Sequence, residues 1–153
     1  MDQNKENSIY LHLATLFGVG RTPLMPGSAA CIVAAVLYVL IRDPFVMAIF
    51  TLVATVIAFL VSGPAEAALG QKDHKHIVID DFAGQLIAYL FIPFSWKLVF
   101  IGFFLFRMFD MLKVFPANLI EKYPGAAGVV GDDVMAGIYA AVVLHIAVRI
   151  VGG

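Results

Sequence analysis

Apolar residues run in long blocks along this chain, separated by short polar stretches that carry most of its charge. The blocks at 29–41 and 45–61 are divided only by Arg42-Asp43-Pro44, and a charged pair followed by Pro predicts the tip of a helical hairpin. Blocks at 82–93 and 98–115 are joined through Phe94-Ser95-Trp96-Lys97, with Trp and Lys where a membrane–water interface prefers them. The last block, 134–151, has the length of a conventional span. The block at 29–41 is shorter than the roughly 20 residues of a straight span, so it is expected to borrow from Pro26-Gly27-Ser28, to thin the bilayer locally, or both. Residues 8–27 are interrupted by Gly18, Gly20, Pro23, Pro26 and Gly27, which predicts a re-entrant or interfacial segment in place of a continuous helix. Residues 62–76 read as a helical extension followed by a loop, and residues 1–8 as a polar tail.

The pattern predicts an all-α integral membrane protein, a compact bundle of about five hydrophobic helical segments, some short or re-entrant. Residues 1–153 form a single domain in this reading. Gly84 with Ala88, and Asp133 with Gly137 followed by Ala140 and Ala141, set small residues at helical spacing for close packing. Composition agrees, since 61% of residues are hydrophobic and mean hydropathy is +0.93, against roughly 45–50% apolar usage in soluble domains. A net charge of -1 provides no broad basic field, which excludes a nucleic-acid partner. Cys31 is the only cysteine, so no intrachain disulfide or cysteine-based zinc site is possible. It also lacks the Arg six residues later that a Cys-x5-Arg phosphatase loop requires, and it reads as a small buried hydrophobe. The N-terminus lacks the basic, apolar and small-residue sequence of a cleavable signal.

Charge inside such a chain is informative because it is costly near hydrocarbon. Asp80 and Asp81 stand at the mouth of one apolar block, Arg107, Asp110 and Lys113 interrupt a second, and Asp132 and Asp133 open a third. If the tips at 42–44 and 94–97 lie on one side, these groups share the other side with Arg21 and Asp73. That side also holds Lys5, Lys72, Lys75 and Lys122, against Arg42, Lys97 and Arg149 opposite. The positive-inside rule then turns the shared face to the cytoplasm.

Asp80, Asp81, Asp110, Asp132 and Asp133 cannot all be ionised at close range without a cation among them. An all-carboxylate set suits Mg²⁺, whereas zinc asks for more His or Cys. Arg107, Asp110 and Lys113 fall at i, i+3 and i+6, one polar stripe of a helix. That stripe reads either as a salt-bridge ladder or as a metal-binding Asp110 flanked by two phosphate clamps, and the other Asp pairs favour the second. His74 and His76 are candidate ligands or merely solvated groups of a polar loop. Anionic substrate, metal carboxylates and basic clamps together suggest chemistry at a lipid phosphate.

At this point four blocks resemble a known family. G-V-G-R-T-P-L-M-P-G-S from Gly18, A-E-A-A-L-G-Q-K-D and I-V-I-D-D-F-A-G between Ala65 and Gly84, F-R-M-F-D-M-L-K-V-F-P from Phe106, and G-D-D-V-M-A-G from Gly131 stand in the order found in phosphatidylglycerophosphatase A. The resemblance implies Mg²⁺-dependent removal of the terminal phosphate of phosphatidylglycerophosphate, at the cytoplasmic side of a multi-pass bacterial inner-membrane protein whose partners are the lipid substrate and the bilayer. It marks Arg21, Asp73, Asp80, Arg107, Asp110, Lys113, Asp132 and Asp133 as matching positions. Asp81 stands where many relatives carry Glu, and Ser28-Ala29-Ala30-Cys31 departs from a common Thr and Gly-Ser pattern, as in a somewhat divergent member.

Together these readings assign catalysis to Asp80, Asp81, Asp110 and Asp133, and metal binding to those four with Asp132. Phosphate binding falls to Arg21, Arg107 and Lys113, with Asp73 and Glu66 as further candidates. Two alternatives stay open: a small transporter or ion-conducting subunit using intramembrane Asp residues, and a phosphatase for another lipid phosphomonoester. A CDP-alcohol phosphotransferase is disfavoured because its D-G-x-x-A-R pattern is absent.

Overall fold

The computed structural model describes residues 2–71, 74–113 and 115–152. Among these residues every regular element is helical. Helix α1 covers Gln3–Ala14, and a 3-10 turn at Val19–Arg21 leads through Pro23 into α2, Pro26–Leu40. Then follow α3 at Pro44–Leu69, α4 at Ile79–Ala88, α5 at Trp96–Leu112, a short α6 at Ala117–Ile120 and α7 at Ala126–Gly152.

The hairpin tip at 42–44 forms as its residues dictate. Asp43 Oδ1 accepts from the backbone N–H groups of Phe45 and Val46, each at 2.9 Å, and so satisfies two donors that the start of α3 leaves unpaired. Pro44 occupies the first helical position, where its missing N–H costs nothing. At the same end of the molecule, the Arg42 guanidinium lies over the Phe94 ring at 3.6 Å, and Tyr38 donates its hydroxyl to the Ile92 carbonyl at 2.9 Å. The two expected tips therefore touch. His145 is exposed and donates to the Leu90 carbonyl at 3.0 Å.

Helix α4 is the centre of the bundle. Nearly every residue from Ile79 to Tyr89 is buried, with α2, α3, α5 and α7 packed around it. Tyr89 donates to the Val99 carbonyl at 2.7 Å and Gln85 to the Gly102 carbonyl at 3.3 Å, which ties α4 to α5. Helices α3 and α7 are long and apolar enough to cross a membrane, yet only 33% and 22% of their most apolar windows are buried. Their apolar surface faces outward, through residues such as Leu52, Val56, Leu60, Val142, Ile146 and Ile150.

Two boundaries differ from the sequence reading, and a third forms as it expects. Residues 3–8, expected as a tail, are the first turns of α1, continued outward from the part that packs Tyr10, Leu11 and Leu13 beside α3. As the helical extension read from residue 62 implies, α3 continues past Ser62 and Pro64 to Leu69, where Gly70 takes the left-handed backbone (φ 69°) that ends it. Helix α7 begins at Ala126, before the block at 134–151, because Val129 and Val130 bury against α3 and α4. Gly128 and Gly131, which resemble a turn signal in sequence, instead admit the Tyr123 carbonyl and the Ile120 side chain against the helix.

Candidate active site

Three helices deliver the acidic groups to one place. Asp80 and Asp81 occupy the first turn of α4, where the helix dipole favours negative charge. Asp110 comes from the last turns of α5 and Asp132 and Asp133 from the N-terminal part of α7. Asp80, Asp81, Asp132 and Asp133 are buried. Oxygens of Asp80, Asp81 and Asp133 lie within 4.8 Å of one another, as do those of Asp110, Asp132 and Asp133.

Basic groups are built into the same cluster. Arg107 Nη1 donates to Asp81 Oδ1 and to Asp110 Oδ2, both at 2.9 Å. Lys113 ends α5 in left-handed backbone (φ 46°), and its ammonium pairs with Asp132 and, at 3.1 Å, with Glu121. Burial alone would lower the Lys113 pKa, but the Asp132 hydrogen bond and charge, with Glu121, outweigh it and hold the ammonium above the ordinary lysine value. Asp133 Oδ1 is buried and has no hydrogen-bond partner among the described residues.

These groups line an open cavity of about 360 Å³, whose wall also includes Pro26, Gly27, His74, Lys75 and Met111. Gly27 is tight against the ion pair: a Cβ there would stand 2.8 Å from Asp81 Oδ2 and 3.1 Å from Arg107 Nη1. A second cavity of about 380 Å³, entirely apolar, lies along α2 and α5 between Ile32, Val36, Leu40, Trp96, Phe100 and Phe104. The same two helices carry Gly27 and Arg107 to the polar cavity.

The structure thus gathers Asp80, Asp81, Asp110, Asp132, Asp133, Arg107 and Lys113. It places Arg21 elsewhere, exposed at the end of the 3-10 turn and outside the cavity wall. Glu66 also lies off the cavity, on α3, with a buried Oε2 that has no hydrogen-bond partner among the described residues. Asp73 lies outside the described residues. His74 borders the cavity, but its Nδ1 accepts the backbone N–H of His76 at 3.2 Å and is committed to the turn. Burial, and then the charges of His74, Lys75 and Arg21, hold His76 below the ordinary histidine value. Cys31 is buried as expected, its Sγ 3.8 Å from the Asp81 carbonyl. Glu121 was not singled out by the sequence, and Lys75 and Gly27 were given no role, although Lys75 was expected on the same face and Gly27 stands in the block from Gly18 to Ser28.

With this geometry in place, comparison with known proteins is decisive. The family model of phosphatidylglycerophosphatase A matches residues 12–148. This chain belongs to the phosphatidylglycerophosphatase A family. It is accordingly a phosphoric monoester hydrolase. Among phosphatidylglycerophosphatase A proteins it is 37% identical to that of Haemophilus influenzae over 144 residues, covering 90% of this chain and 87% of the relative. The Escherichia coli protein of that name is 29% identical over 137 residues, covering 87% and 80%. A Bacteroides thetaiotaomicron protein with the provisional name phosphatidylinositol-3-phosphatase is 30% identical over 151 residues, covering 92% and 94%. No solved structure matches the chain.

Proposed function

We propose that this protein is embedded in a bacterial inner membrane and hydrolyses the terminal phosphate of phosphatidylglycerophosphate, with Mg²⁺ in the carboxylate cavity. The observation that carries this reading is the convergence of five carboxylates, Arg107 and Lys113 on one open cavity. An ion pathway would not ordinarily draw two fixed cations into its acidic cluster; a phosphate site needs them.

The donor set fits the metal. Each candidate ligand is a carboxylate, as hard divalent cations prefer, and the buried Asp133 Oδ1 has no hydrogen-bond partner among the described residues. Asp80, Asp81, Asp110, Asp132 and Asp133 would hold Mg²⁺, which when bound supplies neutralisation of phosphate charge and Lewis-acid polarisation of its oxygens. Arg107 is fixed in orientation by Asp81 and Asp110, so its guanidinium forms a prearranged wall for a phosphoryl group. Lys113 and Lys75 add positive charge around the same space. As water attacks phosphorus and the phosphorus–oxygen bond to the glycerol breaks, the water's proton passes to one of the surrounding carboxylates of Asp80, Asp81, Asp110 and Asp133, and a proton is returned to the departing alkoxide to give the alcohol.

Membrane residence is supported by the outward apolar faces of α3 and α7, because exposed apolar surface on this scale is stable only when covered. In that setting the apolar groove along α2 and α5 accommodates an acyl chain while the headgroup reaches the carboxylates. Lys75, Arg107 and Lys113 line the cavity, and this local excess of basic groups supports a cytoplasmic orientation. A phosphatase for a different lipid phosphomonoester is the second reading, favoured by the name of the Bacteroides relative.

The test is phosphate release by the purified protein in detergent micelles, with Mg²⁺ and then with chelator. Phosphatidylglycerophosphate, phosphatidic acid and phosphatidylinositol 3-phosphate are compared. Mg²⁺-dependent release that favours the first lipid supports the proposal. Preference for another lipid transfers the assignment to it, and no release from any lipid by folded protein refutes the assigned activity.

A further inference from the structure

We infer that the cavity binds two divalent cations side by side, with Asp133 shared between them. The carboxylates divide into two groups by geometry. One is drawn from α4 and α7, namely Asp80, Asp81 and Asp133; the other is drawn from α5 and α7, namely Asp110, Asp132 and Asp133. Only Asp133 belongs to both groups. It is also the most buried of the five, at 3% exposure, and its Oδ1 has no hydrogen-bond partner among the described residues. A buried acceptor left open at the junction of two carboxylate groups is what a bridging ligand requires.

Arg107 also spans the same two groups. Its Nη1 contacts Asp81 of the first and Asp110 of the second at equal distance, 2.9 Å. The two groups therefore share one carboxylate, Asp133, and one cation, Arg107. Paired-metal phosphoryl-transfer sites hold their ions about 3.5–4 Å apart, a separation that ligand groups sharing one residue within 4.8 Å contacts can accommodate.

Charge balance leads to the same number. The five carboxylates and Glu121, against Arg107, Lys113 and Lys75, leave three negative charges. One divalent cation leaves the cavity negative, and it would then repel a phosphate monoester dianion. Two make it positive by one charge, which suits entry of the anion. A single Mg²⁺ also uses only one or two carboxylates beside water and phosphate oxygens, so one ion leaves most of this cluster without a role.

This inference rests on the phosphatase reading only for the identity of the anion, and its test is independent of turnover. Mn²⁺ serves as the probe. Titration of the purified, metal-stripped full chain, followed by electron paramagnetic resonance and by calorimetry, is expected to give two Mn²⁺ per chain and the multiline spectrum of an exchange-coupled pair. Asp80→Asn and Asp110→Asn each remove a ligand from one group, and each is expected to lower the stoichiometry to one and abolish the coupling. Saturation of the wild-type chain at one Mn²⁺, or two uncoupled ions, overturns the inference even if a variant fails to fold. Phosphate release combined with one ion would leave the phosphatase reading intact; two coupled ions without release from any lipid would do the reverse.

Discussion

Gly137 of α7 packs against the carbonyl oxygen of Gly84 in α4 so closely that a Cβ at Gly137 has no room. Four residues earlier, one turn nearer the cavity, the same helices carry Asp133 and Asp80, two members of one carboxylate group. The glycine crossing therefore sets the spacing of the acids. Gly137→Ala is expected to destabilise the protein by about 1–3 kcal/mol through overpacking and to impair phosphate release in the fraction that remains folded. Thermal unfolding in detergent and phosphate release measured on one preparation check both effects.

Arg107 is prearranged by Asp81 and Asp110, and a planar fork can hold both carboxylates while presenting N–H groups to phosphate. Arg107→Ala is expected to reduce kcat by about 10²–10³-fold, as for other preorganised transition-state donors. Arg107→Lys should recover only part of that loss, because the charge returns without the fork. Steady-state kinetics on micellar substrate distinguish the two variants; full activity in Arg107→Ala would remove this residue from the site.

Much of this arrangement was readable because hydrocarbon makes charge conspicuous. Asp80, Asp81, Arg107, Asp110, Lys113, Asp132 and Asp133 stood out as polar residues in apolar blocks, and the structure brings all of them to one cavity. The tip at Asp43-Pro44 was equally plain, since capping and proline chemistry are local. The start of α7 was not, because Gly128 and Gly131 signal a turn in sequence and close packing in space. Nor could spacing place Arg21, whose position depends on the path of the irregular segment between α1 and α2. Glu121 was invisible for a related reason: its partner Lys113 lies on the preceding helix, across a turn whose path no periodicity reveals.

Arg21 provides a contrast to the cavity residues. Exposed and outside the cavity wall, it should behave as an ordinary surface residue, for which substitutions stay within roughly 0.5 kcal/mol. Arg21→Ala is expected to retain phosphate release to within about two-fold on that scale. A large loss would show that the segment between α1 and α2 closes over the substrate.

Gly27 tests the cavity wall without removing any charge. A methyl group there would crowd both Asp81 Oδ2 and Arg107 Nη1. Gly27→Ala is therefore expected to lower kcat while leaving the unfolding temperature near that of the wild type, because alanine suits the first turn of α2. Unchanged kcat would show that the Asp81–Arg107 pair can shift without consequence.

The most direct measurement is phosphate release from phosphatidylglycerophosphate by Asp133→Asn, at saturating Mg²⁺, beside wild type purified and shown to be folded in the same detergent. Asp133 belongs to both carboxylate groups, and asparagine keeps its size while removing its charge. Loss of Mg²⁺-dependent release with the fold intact is the expected result. Release at the wild-type rate would contradict the assignment of this carboxylate cluster as the catalytic centre.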